Sequence, residues 1–344
     1  MLSVGVDAWN LPGDHRGIGR YLRAILHQWH RTFADRVKVT LIVPELLTWT
    51  VRSRYRRETN GENFAVVSRA LHGRAKLDVL WFPWNGCSWT NFTLPAVATL
   101  HDATNFAIPG YAPQTQVIFR NAVAHCRSLI TDSVFSATEL ARELSIPLER
   151  LTPVPLGVDL PADPQTSGAE IARAHPYVLF VGTAERRKGV DILVRAMDRV
   201  QRHDPSLRLV IAGSRGDGLT GGETIAMETP GFIDDRTLAA LYRDAELFAF
   251  PSRYEGFGLP VLEAMAHGTP VITTRVAAIP EVAGDAALYV PPDDDAALAD
   301  AIARVRGDAA LAASLRERGR LRAAAMPWTQ TAERTLEILE QAAS

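Results

Sequence analysis

The sequence predicts an α/β protein built from two Rossmann-like domains, and three observations predict it. β-branched apolar runs alternate with helix-patterned segments along the chain, the signature of parallel sheets covered by helices. That series runs twice, broken by the Pro-, Gly- and Asp-rich stretch Leu156–Pro164 and the small polar residues up to His175. A length of 344 residues is enough for two ordinary cores. Two such domains are expected to face each other across a cleft, with ligands at the carboxyl ends of the strands.

In the first half the expected strands are Leu2–Val6, Val37–Val43, Phe64–Val67, Val79–Phe82, Ala96–Leu100, Ser128–Thr131 and Leu151–Val154. Helical patterns fit Gly19–Arg31, Ala112–Cys126 and Ser136–Leu144. In the second half the strands are Tyr177–Val181, Leu207–Ala212, Thr229–Phe232, Leu247–Phe250, Val271–Thr274 and Ala287–Val290. The helices there are Gly189–His203, Asp235–Asp244, Pro260–His267, Ile279–Ala283 and Asp295–Gly307. Met326-Pro327-Trp328 breaks the chain before a last helix, Thr329–Ala342. The expected division is 1–160 with the helix 328–344, and 161–327.

Composition excludes several classes. The hydrophobic fraction is 47% and the net charge −2, so no global basic field points to nucleic acid. Two cysteines, outside any CxxC pattern, give neither a disulfide scaffold nor a zinc site. Asp293-Asp294-Asp295 resembles an acidic metal motif, yet it precedes a helical run and reads as a helix cap; Asp234-Asp235 reads the same way. Neither metal nor cofactor is expected. The opening MLSVGVDAW lacks the basic and long apolar parts of a signal peptide, so the expected address is the cytoplasm. Arg52, Arg54, Arg56 and Arg57 around Tyr55 read first as a solvated face. A peripheral contact of the first domain with anionic lipid at the inner membrane face is the second reading.

The chemistry concentrates in YEGFGLPVLE, residues 254–263. A buried strand ends at Phe250, and Pro260 is pre-organised for a helix start. Glu255 therefore falls in the turn above the sheet and Glu263 on the helix after it. Gly256 and Gly258 allow close backbone approach to a ligand, and the amides of the turn and helix start favour an anion. An ionised carboxylate accepts two donors at once, so Glu263 suits vicinal ribose hydroxyls and Glu255 suits sugar hydroxyls. As a surface reading, a helix-start glutamate explains Glu263 alone. It leaves the glycines, the strand–turn–helix context and Glu255 unexplained.

YEGFGLPVLEAMAHGTPVI resembles the E-x7-E region of the retaining, group-1 glycosyltransferases of the GT-B fold. The resemblance extends through Pro280-Glu281-Val282, and upstream through the "GT-x-E-x-RK" segment Gly182–Lys188, Leu209–Gly213 and Gly231-Phe232-Ile233-Asp234. It implies a donor site of Arg187, Lys188, Phe232, Ile233, Glu255, Gly256, Phe257, Gly258, Leu259 and Glu263, with either Arg186 or Arg187 beside Lys188 on the diphosphate. In the first domain Gly17 and Gly19 resemble the family's glycine loop, which approaches the donor phosphates. A dinucleotide fingerprint is the rival there, with Leu22 in place of its third glycine and Glu45 after a second strand. His101-Asp102 at a strand end resembles the "HD" that faces the donor sugar. Trp81 to Trp84 line an acceptor pocket or pack the core. Ser133 to Ser136 and Leu156-Gly157-Val158-Asp159 resemble further family stretches, Leu156 standing where asparagine is usual.

The resemblance implies transfer of a hexose from a nucleotide-sugar donor, GDP-mannose before a UDP-sugar, to a glycan or lipid-linked acceptor. His101, Lys188 and Glu255 are the implied catalytic residues, the first domain taking the acceptor and the second the donor. The last helix is implied to cross back to the first domain. Alternatives are a nucleotide-sugar epimerase or phosphorylase of the same fold, and a non-catalytic sugar-nucleotide binding module.

Overall fold

The computed structural model describes residues 1–14, 17–44, 49–59, 64–108, 113–161, 175–219 and 225–344. Glu45, the expected helix start at Ala112 and linker residues 162–174 lie outside the described residues. The chain divides into two compact units, Met1–Gly157 with Trp328–Ser344, and Val158–Pro327.

The first unit runs β1 (Leu2–Asp7), α1 (Gly17–Arg31), β2 (Val37–Val43), α2 (Trp49–Glu58), β3 (Ala65–Ser68), β4 (Val79–Phe82), β5 (Ala96–Thr99), α3 (Thr104–Ala107), α4 (Val117–His125), β6 (Ser128–Thr131), α5 (Val134–Leu144) and β7 (Leu151–Pro153). Its described strands form one sheet in the order β3-β2-β1-β4-β5-β6-β7, every pairing parallel. The second unit runs β8 (Tyr177–Val181), α6 (Val190–Gln201), β9 (Arg208–Ala212), β10 (Met227–Gly231), α7 (Asp235–Asp244), β11 (Leu247–Phe250), α8 (Leu259–Ala266), β12 (Val271–Thr274), α9 (Ile279–Ala283), β13 (Ala287–Val290), α10 (Asp295–Gly307) and α11 (Ala309–Ala324). Its sheet order is β10-β9-β8-β11-β12-β13, again wholly parallel. Both sheets grow one way from their first strand and then the other. Each therefore has a topological switch point, between β1 and β4 and between β8 and β11.

The continuous apolar strands are those of sheets buried on both faces. β4, β5, β11 and β12 are buried throughout. Caps end the helices as the sequence suggests. Asp234, Asp294 and Asp308 accept from backbone amides three residues on, at 2.7, 2.8 and 2.9 Å. Ser133 does the same for α5, accepting from Ser136 N at 3.0 Å, so the Ser133–Ser136 pair builds a cap.

The last helix, α12 (Trp328–Ala343), returns to the first unit. Its apolar face, with Ala332, Leu336 and Leu339 fully buried, packs on α1 and behind β4, β5 and β6. Polar ties fix the register: Trp29 Nε1 donates to Ala332 O at 2.9 Å, and Thr331 Oγ1 to Pro155 O at 2.8 Å. Arg127 Nη1 donates to Ala342 O at 2.8 Å.

Four differences from the expected elements have local causes. α1 begins at Gly17, so both glycines lie in its first turn rather than in a loop before it. α4 begins at Val117, after a 3-10 turn at Pro113–Gln116. β10 stops at Gly231, whose φ of +75° turns the chain and leaves Phe232 beyond the strand. α2 and α11 add helices that the periodicity did not mark. In α2 the four arginines point to solvent while Tyr55 is buried, its hydroxyl donating to Trp9 O at 3.3 Å.

Candidate active site

The second unit places its chemistry at the switch point. The strand β8 leads into Gly182 and then a 3-10 turn, Arg186–Lys188, closed by Gly189 at φ +70°. A β-carbon on Gly189 would lie 1.9 Å from Pro251 O, so only glycine lets this turn press on the exit of β11. Arg253 N donates to Arg187 O at 2.8 Å, joining the two exits. The Arg186–Lys188 turn and Glu255, far apart in sequence, thereby stand at neighbouring strand exits.

Glu255 is buried and held from two sides. Ser252 Oγ lies 3.1 Å from Glu255 Oε1, and Arg187 Nη1 donates to that oxygen at 3.3 Å. Arg187 also donates to Tyr254 O at 2.6 Å and to Glu185 Oε2 at 3.2 Å. Its guanidinium is thus shared between two carboxylates, whereas the Arg186 side chain is exposed. Lys188 Nζ stands 5.9 Å from the centroid of the Phe250 ring and makes no ion pair among the described residues. It lies over Gly182, where a β-carbon would come within 2.8 Å of the ammonium.

Arg253 braces this arrangement. It grips the buried Asp191 with two bonds of 2.8 and 2.9 Å, reaches Asp293 at 2.6 Å and donates to Arg186 O. Its hydrogen bonds to Asp191 hold the guanidinium above its ordinary pKa. For Asp191, burial opposes ionisation, and the bonds and charge of Arg253 outweigh it, so its pKa is lowered. Asp293 is spent on this brace and Asp294 on the cap of α10. Among the described residues no cluster fit for a metal ion occurs.

Past Glu255, Gly258 takes φ +107° as the cap of α8, and a β-carbon there would meet Ile279 Cδ1 at 2.8 Å. Phe257 is buried, while Leu259 opens the helix at half-burial. Glu263 is buried one turn further along, and Tyr242 Oη from α7 donates to its Oε2 at 2.9 Å. Phe232 is 70% exposed at the carboxyl end of the edge strand β10, with Ile233 half-buried beside it.

The first-unit candidates lie apart from this cluster in the sequence and in structure belong to their own sheet. A β-carbon on Gly19 would fall 1.9 Å from Asp14 O, whereas one on Gly17 would meet nothing within 4 Å. Arg23 stitches the intervening loop, donating to Asp14 O at 2.7 Å and Leu11 O at 2.6 Å. His101 is buried, with Nδ1 facing the Asp132 carboxylate at 2.9 Å and Nε2 2.9 Å from Pro83 O. A carbonyl only accepts, so Nε2 carries a hydrogen. Burial alone would lower the imidazole's pKa; the charge and hydrogen bond of Asp132, with Pro83 and Asp102, outweigh it and raise the value. Asp102 accepts from Thr104 N at 2.9 Å and so fixes its own loop. Trp81 and Phe82 are fully buried core.

Sequence reasoning missed Ser252, the Arg253–Asp191 brace, Tyr242 and Asp132. Only Arg253 and Ser252 carried a signal, since they stand in the same strand exit as Glu255.

Known proteins identify the family and the fold of this chain. Residues 175–308 match the family described as Glycosyl transferases group 1. The chain is 33% identical over 234 residues to the O-antigen chain mannosyltransferase B of Escherichia coli, covering 59% of this chain and 60% of that protein. To the D-inositol 3-phosphate glycosyltransferase 1 of Catenulispora acidiphila it is 32% identical over 282 residues, covering 72% and 67%. The chain thus spans about three fifths to two thirds of these relatives' length. Among solved structures it resembles a sucrose-phosphate synthase from Thermosynechococcus elongatus, with TM-score 0.75, 20% identity and 99% of each chain covered. Anabaena HepE in complex with UDP and glucose gives TM-score 0.76 at 16% identity, covering 99% and 100%. These likenesses show the fold, two parallel-sheet α/β domains of the GT-B class. With the Catenulispora relative aligned over two thirds of its length, the chain belongs to the group 1 glycosyltransferases.

Proposed function

We propose that this protein is a retaining hexosyltransferase that takes a nucleotide-diphospho-sugar in its second unit and passes the sugar to a glycan or lipid-linked acceptor. The observation that carries the reading is that the Arg186–Lys188 turn and Glu255 stand at the exits of the paired strands β8 and β11, Arg187 reaching Glu255 at 3.3 Å, at the switch point where open α/β sheets bind ligands. Lys188 is the cation for the diphosphate, and it acts on charge that grows as the sugar–phosphate bond breaks. Glu255 meets the transferred sugar or the carbon where positive charge builds. Arg187 is a positioning residue, since it holds Glu255 while adding positive charge beside it. The acceptor hydroxyl attacks the anomeric carbon on the face from which the nucleoside diphosphate departs, and the departing phosphate takes the acceptor proton, so no dedicated nucleophile is required.

Glu263 receives the ribose hydroxyls on the carboxylate that Tyr242 orients, and Phe232 and Ile233 border the base. His101, both ring nitrogens engaged, acts by holding the Pro83–Asn85 turn in place. GDP-mannose is the first donor to try, on the mannosyltransferase named among the relatives. A UDP-sugar is second, as HepE is solved with UDP-glucose.

The test is turnover and binding with GDP-mannose and UDP-glucose. Lys188→Ala should cut transfer or donor hydrolysis about a hundredfold or more, the scale of losing one charge-stabilising group, and leave the bare nucleoside bound nearly as well. Unchanged turnover in that variant removes the assignment.

A further inference from the structure

Arg253 stands half-buried between the end of β11 and Glu255, with its guanidinium almost fully engaged. Nη1 and Nη2 grip the buried Asp191 carboxylate at 2.8 and 2.9 Å, and Nε donates to Asp293 at 2.6 Å. Nη1 donates in addition to Arg186 O. Asp191 lies in the first turn of α6, and Asp293 directly precedes the cap of α10. One side chain therefore joins the exit of β11 to three other segments of the second unit.

These contacts converge on the peptide units that lead into Lys188. Arg186 O accepts from Gly189 N at 2.9 Å, which closes the 3-10 turn, and from the Arg253 guanidinium. Arg187 O accepts from Arg253 N at 2.8 Å and from Ser252 Oγ at 3.3 Å. A carbonyl oxygen has two lone pairs, so both oxygens are fully taken up. At the other end of the second peptide unit, Lys188 N donates to Glu185 O at 3.0 Å. The backbone from which the Lys188 side chain departs is thus held on both sides, largely by Arg253. An ion pair that only anchored α6 would need Asp191 and nothing more. This guanidinium also gives a donor to the turn, a task that suits arginine because its rigid fork serves several acceptors in fixed directions.

We propose that Arg253 is a positioning residue for the transfer reaction: held by Asp191 and Asp293, it fixes through Arg186 O the place from which Lys188 meets the leaving diphosphate. The inference rests on the transferase reading above, in which Lys188 stabilises charge on the departing group. Such stabilisation depends on pre-set geometry, and a misplacement of about 1 Å costs on the order of a hundredfold in rate. The effect belongs to the transition state, so its mark is a fall in kcat with KM for the donor nearly kept.

The experiment measures release of nucleoside diphosphate from GDP-mannose and UDP-glucose by the full chain, and follows whichever donor is turned over. Arg253→Lys keeps a cation against Asp191 and loses the fork. Its kcat should fall about tenfold to a hundredfold, with KM within about threefold of wild type. The deciding arm repeats the substitution in the Lys188→Ala background. Because Arg253 acts through Lys188, the second change should cost less than about twofold there. An equal loss in both backgrounds overturns the proposal, since Arg253 then acts on another group. A lower Tm with kcat per folded molecule unchanged also overturns it and leaves a structural brace. If Arg253→Lys does not fold, Asp293→Asn decides the matter, because it removes the exposed anchor and leaves the Asp191 pair intact. Its kcat should fall about threefold or more, and only where Lys188 is present. If Lys188→Ala is slowed and these variants are not, this inference fails alone. If Lys188→Ala turns over like wild type, or neither donor is turned over, the proposed function fails with it.

Discussion

The two switch points each set a carboxylate against a serine and an arginine, and they differ in how closely the arginine approaches. In the second unit a carboxylate, Glu255, is met by a serine at 3.1 Å and an arginine at 3.3 Å. In the first, Asp7 is met by Ser88 at 2.5 Å, and Arg69 stands 3.6 Å from its other oxygen while also donating to Ser88 at 3.4 Å. The second cluster holds its carboxylate on two sides and leaves Lys188 in no ion pair among the described residues, the arrangement that the proposed reaction calls for. The first sheet end is packed shut, with Phe82 and Phe92 against the Trp89 ring.

The strongest way to break this contrast is to exchange the consequences of the two carboxylates within the second unit. Glu255→Gln should depress transfer severely, with nucleotide affinity nearly unchanged, because its partners serve the transferred sugar. Glu263→Gln should do the reverse. It keeps the volume and loses the ionised acceptor, so GDP or UDP affinity should fall by about 1.5–3 kcal/mol, measured calorimetrically. A donor lacking the ribose 2′-hydroxyl should discriminate poorly in that variant. If both variants lose only stability, the two carboxylates are structural and the contrast collapses.

A smaller effect sharpens it. Tyr242→Phe removes the hydroxyl that orients Glu263, at 2.9 Å, and nucleotide affinity should fall by about 0.5–1.5 kcal/mol. Transfer at saturating donor should be little changed.

The first unit adds a pH signature. The folded pKa of His101 is raised above the ordinary 6.5, so its contribution to stability is fully present below about pH 6.5. That contribution is lost as pH rises through the folded value. The Tm difference between wild type and His101→Gln should therefore be largest near pH 6 and shrink toward pH 9. A difference that grows with pH contradicts the imidazolium–Asp132 pairing.

The smallest effect concerns Ala277, held at φ +50° next to Ala278, whose amide donates to Glu255 O at 3.2 Å. Glycine there relieves left-handed strain of about 1–2 kcal/mol and gives back about 0.4–1 in unfolded-chain entropy. Ala277→Gly should raise stability by about 1 kcal/mol or less in denaturant unfolding. A loss of stability means the alanine methyl makes a contact that outweighs the strain.

How much of this was legible in the sequence follows from where partners sit along the chain. Glu255, Gly258 and Glu263 share one strand–turn–helix passage, and the residues that turn it announce themselves locally. Lys188 is readable for the same reason, through Gly182 and Gly189 on either side. Asp132 stands 31 positions from His101, and Asp191 62 from Arg253. Periodicity reports a residue's own element and says nothing of which strand lies beside it. The Asp7 cluster draws on β1, β3 and the segment after β4, and only the sheet order joins them. Phe232 was placed at the end of a strand, and the turn at Gly231 moves it beyond.

Hydrogen exchange shows whether the β8–β11 switch point holds the nucleotide. The full chain is compared with and without saturating GDP, then UDP, and peptide protection is read by mass spectrometry. Exchange should slow in residues 182–189 and 252–263 with at least one of the two nucleotides. Unchanged exchange in both segments, under conditions where calorimetry shows the nucleotide bound, contradicts it.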